Sequence, residues 1–243
     1  MLIPSERHRP EDLALWAELE ETDAVHARRL AASGRIDAAM DVLTVFASRG
    51  SCYCGVSWGK DSVVVARLLR SVAPRVPLVY LRQSTENPDC LRVRDCYFAA
   101  FPDQPYEEVP VTYASGASVS HANPAWNAAI ASCRKRWNRS ILGIRASESM
   151  GRKIRMFRWS ESSPNACAPI GWWSVADVFA YLWLSESPVH PVYAMLGGGR
   201  WSREHLRVAS IGGRDGDGHG RREWEYEYYS DVTRRLEAGR DRR

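Results

Sequence analysis

The stretch Ser57-Trp58-Gly59-Lys60-Asp61-Ser62 holds residue types that can grip a phosphate. It lies between an apolar run, Cys52 to Val56, that suits a buried strand and a second, Val63 to Leu69, that suits a helix. A strand entering a helix through a short polar loop leaves backbone N–H groups free at the helix start. Those groups, with the positive end of the helix dipole, favour an anion. Ser57 and Ser62 add hydroxyl donors, Gly59 lets the backbone come close, and Lys60 supplies a point charge. Asp61 is a poor direct neighbour for phosphate; it could cap the helix or hold a magnesium ion that bridges the phosphates. The leading glycine of the Walker A pattern is missing. The competing reading, a plain turn before a capped helix, leaves the two serines and the strand–loop–helix setting unexplained.

A second group of reactive types lies further on. Cys133 stands beside Arg134 and Lys135, and flanking cations favour the thiolate that a persulfide carrier or nucleophile needs. The competing reading is a small core residue. Arg134, Lys135, Arg136, Arg139, Arg145, Arg152, Lys153 and Arg155 make the middle of the chain basic. Converging on the carboxyl edge of a sheet, they would neutralise a triphosphate and stabilise a leaving pyrophosphate; otherwise they form a solvated face. His121, His190 and His219 show no metal-ligand spacing, and none of the six cysteines forms a Cys-x-x-Cys pair, so no zinc site or iron–sulfur cluster is expected.

Positioning the loop requires alternating strands and helices. From Pro10 to Ser48 the spacing predicts two helices broken at Gly34. After the strand at Cys52–Val56 and its helix, strands are expected at Pro77 to Leu81, Tyr106 to Val111 and Ser140 to Ile144, with a helix from Pro88 to Ala100. Ser174 and Asp177 have the form of a capping box that opens a helix through Val178 and Trp183. Glycines at 197–199 and between 212 and 220 read as flexible loops. The fold class predicted is α/β, a doubly wound parallel sheet of Rossmann-like type with a helical N-terminal extension. The expected division is a helical extension at 1–49, a nucleotide-binding domain at 50–211, and a flexible charged segment at 212–243.

Composition sets outer bounds. A 45% hydrophobic and 26% charged chain of 243 residues is an ordinary globular protein with one sizeable core. No apolar run approaches the length of a membrane span and no secretory signal is visible, so a cytoplasmic location without membrane partners is expected. Arg221, Arg222, Arg234, Arg235, Arg240, Arg242 and Arg243 crowd the last stretch and could touch nucleic acid, although Glu223, Glu225, Glu227, Asp231 and Glu237 dilute them. A solvated, frayed terminus is the competing reading. Trp172, Trp173 and Trp183 are expected in the core.

The Ser-x-Gly-Lys-Asp-Ser loop after a strand resembles the pyrophosphate (PP) loop of the adenine-nucleotide alpha-hydrolase superfamily, and within it the phosphoadenylyl-sulfate (PAPS) reductase-like branch. Leu142-Gly143-Ile144-Arg145-Ala146-Ser147-Glu148-Ser149 followed by Arg152, Ser132-Cys133-Arg134-Lys135, and Pro169-Ile170-Gly171-Trp172-Trp173 running on to Asp177-Val178 are similar to further stretches of that branch. The resemblance spans roughly Gly50 to Pro191 and implies ATP with magnesium as cofactors. Ser57, Gly59, Lys60, Asp61 and Ser62 would bind the nucleotide, with Asp61 at the metal. Lys60, Arg145, Arg152 and Cys133 would act in catalysis. It further implies cleavage between the α- and β-phosphates, adenylylation of an acceptor and sulfur transfer. Possible partners are a sulfur-donor protein such as a cysteine desulfurase, a nucleic acid and a second copy of the chain. Three departures qualify this. Trp58 replaces a glycine, so its ring must point out of the cradle, and Arg82-Gln83-Ser84 stands where Asp-Thr-Gly is common. No cysteine follows Cys167, which counts against reduction of an adenylylated sulfate. A nucleotide-sensing or nucleic-acid-binding subunit without turnover is the reading from a different class.

Overall fold

The computed structural model describes residues 1–83, 86–113, 123–208, 210–212 and 220–241. Five strands form one sheet: β1 (Cys52–Val56), β2 (Leu78–Gln83), β3 (Tyr106–Val111), β4 (Arg139–Leu142) and β5 (Ala166–Cys167). They run in the order β3-β2-β1-β4-β5, and every pairing is parallel. Nine helices are described: α1 (Pro10–Ala32), α2 (Arg35–Ser48), α3 (Lys60–Val72), α4 (Asp89–Ala100), α5 (Pro124–Trp137), α6 (Met150–Trp159), α7 (Val175–Leu184), α8 (Arg221–Tyr228) and α9 (Ser230–Asp241).

Because successive strand side chains point to opposite faces, each strand feeds two layers. Cys54, Val56, Leu78, Tyr80 and Ile141 enter the main core with Leu68 of α3, Val93 of α4, Phe46 of α2 and Val178 of α7. Tyr53 and Val79 face the other way, against Cys133 and Trp137 of α5. The sheet is therefore covered on both faces, as the doubly wound expectation requires.

Several boundaries move for identifiable reasons. β2 starts after Pro77, whose ring nitrogen has no proton to give; its carbonyl accepts from the Cys54 amide at 2.9 Å. β4 begins at Arg139 and stops before Gly143, so the expected Ser140 to Ile144 is displaced. The Arg139 guanidinium is buried, stacks on Phe46 and donates to the carbonyls of Phe46 and Gly50, which holds the strand to the end of α2. α5, α6 and the two-residue β5 were not anticipated. Only Met156 of α6 is buried, so its apolar residues do not mark a core face, and β5 is too short to show a period.

The helical N-terminal extension, α1 and α2, packs onto the sheet: Trp16, Leu30, Leu43 and Phe46 belong to its core. The last stretch is not a loose tail: α8 buries Trp224, whose indole N–H donates to the Met195 carbonyl at 2.9 Å, and the Tyr229 hydroxyl donates to Asp89 at 2.8 Å. Glycines 197–199 form a 3-10 turn pinned by buried Asp12, which accepts from the amides of Leu196 and Gly198 and from the Tyr228 hydroxyl. Most of the second glycine-rich stretch, residues 213–219, lies outside the described residues, as do His121, His219, Arg242 and Arg243. The box at Ser174 stands: its hydroxyl accepts from the Asp177 amide at 3.1 Å and Asp177 accepts from the Ser174 amide at 2.8 Å. Asp177 also binds Arg35 and His26, tying α7 to α1 and α2. Of the three tryptophans placed in the core, only Trp173 is buried; Trp172 and Trp183 are exposed.

Candidate functional site

The strand order locates a site. From β1 the chain crosses to β2 and β3 on one side, then returns through α5 to β4 on the other. The loops leaving the carboxyl ends of β1 and β4 thus diverge around the switch point where open α/β sheets bind ligands. They are 57–59, which leads into α3, and 143–145, which leads into the 3-10 turn Ala146–Glu148. The Gly-Lys loop and the Arg145 stretch, far apart in sequence, meet there.

Contact between them is backbone to backbone. A Cβ on Gly143 would lie 2.7 Å from the Asp61 carbonyl and 2.8 Å from the Ser62 nitrogen, so only a glycine lets β4 pass the first turn of α3. Gly143→Ala is expected to lower stability by about 1–3 kcal/mol, the usual cost of overpacking. Urea unfolding should show a reduced midpoint with an unchanged slope.

The turn itself is shaped by Trp58. Its backbone is left-handed at φ 61, a strained conformation for a bulky residue, and its fully buried ring packs against Tyr97, Phe98 and Tyr106. The ring leaves the cradle and anchors it to α4 and β3, as expected for a bulky residue at this position. Ser62 holds the turn's mouth: its hydroxyl donates to the Gly59 carbonyl at 3.0 Å and accepts from the Ser57 amide at 3.2 Å. Gly59 is the N-cap, so no side chain caps α3; Asp61, weighed as a cap, does not act as one.

Lys60 is the unusual group. Its side chain is 0% exposed, and its ammonium has no hydrogen-bond partner among the described residues. The Asp61 carboxylate lies 3.4 Å away and the Tyr193 ring 5.0 Å away. Burial pushes the ammonium's pKa down, only partly offset by Asp61. For Asp61, burial acts upward, but Lys60 and then Arg145 outweigh it and hold the carboxyl below its ordinary value. Arg145, almost wholly buried, donates from Nε to Asp61 at 2.6 Å and from a terminal nitrogen to the Ser147 hydroxyl at 2.9 Å. Glu148 accepts from the Arg145 amide at 3.1 Å, ion-pairs with Arg152 and lies 3.5 Å from Arg207. Lys60, Arg145, Arg152 and Arg207 against Asp61 and Glu148 make four cations to two anions, a surplus of two positive charges at a helix start.

The cradle is covered in this conformation. The Tyr193 hydroxyl accepts from the Lys60 amide at 3.0 Å, and a Cβ on Gly59 would meet Val208 at 2.9 Å. Tyr193 and Arg207 carried no sequence signal, because each sits alone in a segment without periodicity. Below the loop, the Cys90 thiol lies 3.6 Å from His190 Nε2 and 3.7 Å from the Ser57 carbonyl. Burial lowers His190 to about 3 and raises Cys90, so the pair packs in its neutral forms.

Two expectations are corrected. Cys133 is buried beneath α5 against Tyr53 and Val79, and burial pushes its thiol up, with Glu107 adding to the rise and Arg136 only partly opposing it. Arg134 and Lys135 point to solvent and do not create a thiolate. Asp61 does not fit a metal ligand: one carboxylate oxygen serves Arg145 and the other faces Lys60, and the described residues contain no group of three His, Cys, Asp or Glu able to hold an ion. Of the eight basic residues of the middle region, Arg145 reaches the loop through Asp61, and Arg152 pairs with Glu148 beside it. Arg136 pairs with Glu107, and Arg139 is structural.

A doubly wound α/β protein with a glycine–lysine loop at its switch point is the class that fold and site define. No protein-family model matches the chain, and no curated protein sequence matches it. Among solved structures, the chain is similar to phosphoadenylyl-sulfate reductase from Candida auris in a phosphate complex, at 16% identity over 64% of this chain and 83% of that one, TM-score 0.47. It is similar to NMN synthetase from Francisella tularensis at 12% identity over 64% and 71%, TM-score 0.43. Candida glabrata FMN adenylyltransferase, in complex with FAD and inorganic pyrophosphate, gives 12% identity over 72% and 68%, TM-score 0.43. Likeness at this level carries no activity across. Among the described residues no helix is long and apolar enough to cross a membrane.

Proposed function

We propose that the chain binds ATP at the loop 57–62 and cleaves it between the α- and β-phosphates. An acceptor oxygen attacks the α-phosphorus, the bond from that phosphorus to the bridging oxygen breaks, and the electron pair leaves on pyrophosphate. The observation that carries this reading is Lys60: a buried ammonium without a hydrogen-bond partner, at the uncapped start of a helix beside a switch point. A buried cation without a hydrogen bond is costly even with the Asp61 carboxylate 3.4 Å away, and a polyphosphate is the ligand that would satisfy it together with the helix dipole. Arg152 and Arg207, more exposed than Arg145, would meet the outgoing charge in this reading. Arg145 is a positioning residue that fixes Asp61. Magnesium, in this reading, would arrive with the nucleotide and offset phosphate charge, since Asp61 is engaged by Arg145 and Lys60.

Sulfur transfer to the adenylylated acceptor, with displacement of AMP, rests on the resemblance of the loop and of the stretch from Leu142 to Arg152 to the PP-loop superfamily. With Cys133 buried in packing, the sulfur comes from outside the chain, from a donor protein in this reading. The test is pyrophosphate release from ATP, measured with and without a nucleic-acid acceptor and a persulfide donor. Release that requires Lys60 supports the reading; no release under any of these conditions, with ATP bound saturably, would leave a nucleotide-sensing subunit instead.

A further inference from the structure

Helix α6 carries an apolar stripe that nothing among the described residues covers. Met150, Ile154 and Phe157 are 70%, 61% and 72% exposed. Their spacing, i, i+4 and i+7, places them on one side at about 100° per residue. On the same projection Lys153 and Arg158 flank the stripe, one on each side, and both are exposed. The helix contains no acidic residue, and its one buried side chain, Met156, lies on the opposite face against Ala146 and Ala168. Trp172, exposed, meets Phe157 edge to face at 5.3 Å and extends the stripe onto the neighbouring turn. Gly171 packs directly under the helix, where a Cβ would lie 2.1 Å from the Met156 methyl.

We infer that α6 is a docking surface for an acidic amphipathic helix of a partner protein. An apolar stripe bordered by a lysine and an arginine is the complement of an apolar stripe bordered by carboxylates, which is helix-in-groove and charge recognition combined. A second copy of this chain would set Lys153 and Arg158 against their own kind. A nucleic acid would use the cations and the rings but gain little from Met150 and Ile154, which have no face on which a base stacks. Contiguous exposed apolar surface of this kind marks interaction sites. The inference is independent of the ATP reading, although α6 starts at the turn that holds Glu148 and Arg152.

The experiment uses the full chain and a fluorescein-labelled peptide of about four helical turns, with leucines at i, i+4 and i+7 flanked by glutamates, beside a scramble of the same composition. Anisotropy should show the patterned peptide binding at least tenfold more tightly than the scramble. Phe157→Glu and Ile154→Glu should each lose tenfold or more while melting like the parent. The pair Lys153→Glu and Arg158→Glu should lose binding and recover it with a peptide carrying lysines for glutamates. Equal binding of scramble and patterned peptide, or none at millimolar peptide, overturns the inference. So does preferential binding of an oligothymidylate or of phosphatidylglycerol vesicles that Phe157→Glu abolishes, or a concentration-dependent dimer that the same substitution dissolves.

Discussion

Replacing Lys60 with methionine is expected to abolish nucleotide binding while leaving the fold as stable as before or more so. Methionine fills the same slot without a charge. The ammonium it removes has no hydrogen bond, and Asp61, its nearest counter-charge, keeps the Arg145 bond at 2.6 Å. Losing a partner usually costs about 3–5 kcal/mol because a buried charge is stranded, but here the carboxylate remains paired and the relief of the lysine's own desolvation opposes the loss. The sign of the pH dependence can be checked. A lysine whose folded pKa lies below its unfolded value binds fewer protons when folded, so stability rises with pH between the two values. The parent should show that rise on the alkaline side and Lys60→Met should not. Isothermal titration with ATP and melting across pH measure both. A large fall in melting temperature with ATP affinity intact would mean that Lys60 is structural.

Arg145→Ala is the substitution expected to cost most in stability. It leaves Asp61 in the interior with one counter-charge at 3.4 Å and no hydrogen bond from a guanidinium. The loss should be about 3–5 kcal/mol, a drop in Tm on the order of 10 °C for a chain of this size. Asp61 is held below its ordinary pKa, so it contributes stability above the unfolded value that is lost as pH falls through the folded one. With Arg145 gone that depression shrinks, and acid unfolding should begin at higher pH. Adding Asp61→Asn to Arg145→Ala should recover part of the loss, because the stranded charge disappears. Failure of the double variant to recover any would show that Arg145 acts through Ser147 and packing rather than through the carboxylate.

The framework was legible where one rule acted alone. The strand at Cys52–Val56 stands as read, because an apolar run between polar turns has few other uses, and the strand at Tyr106–Val111 stands too although Glu107 and Glu108 lie within it. The Ser174 box is local chemistry and needs no tertiary knowledge. The site was half legible: the Gly-Lys loop and Arg145 were visible as motifs, but Tyr193 and Arg207 reach it only through the packing of loops with no period. The Cys133 expectation weighed its sequence neighbours; its surroundings in space are Tyr53 and Val79, which the order of residues does not reveal. The same holds at the C-terminus, where interleaved charges concealed Trp224 and Tyr229. Helix α6 gave no readable period, since its apolar residues Met150, Ile154 and Phe157 face outward.

Because the Tyr193 hydroxyl already satisfies the Lys60 amide, an arriving phosphate oxygen would replace a neutral acceptor at that nitrogen with an anionic one. The number of hydrogen bonds stays the same, and what is added is charge. Whatever tightness the complex has must therefore come from unbalanced charge, so its dissociation constant should climb steeply with ionic strength. Phenylalanine at this position would take away the competitor and tighten the grip.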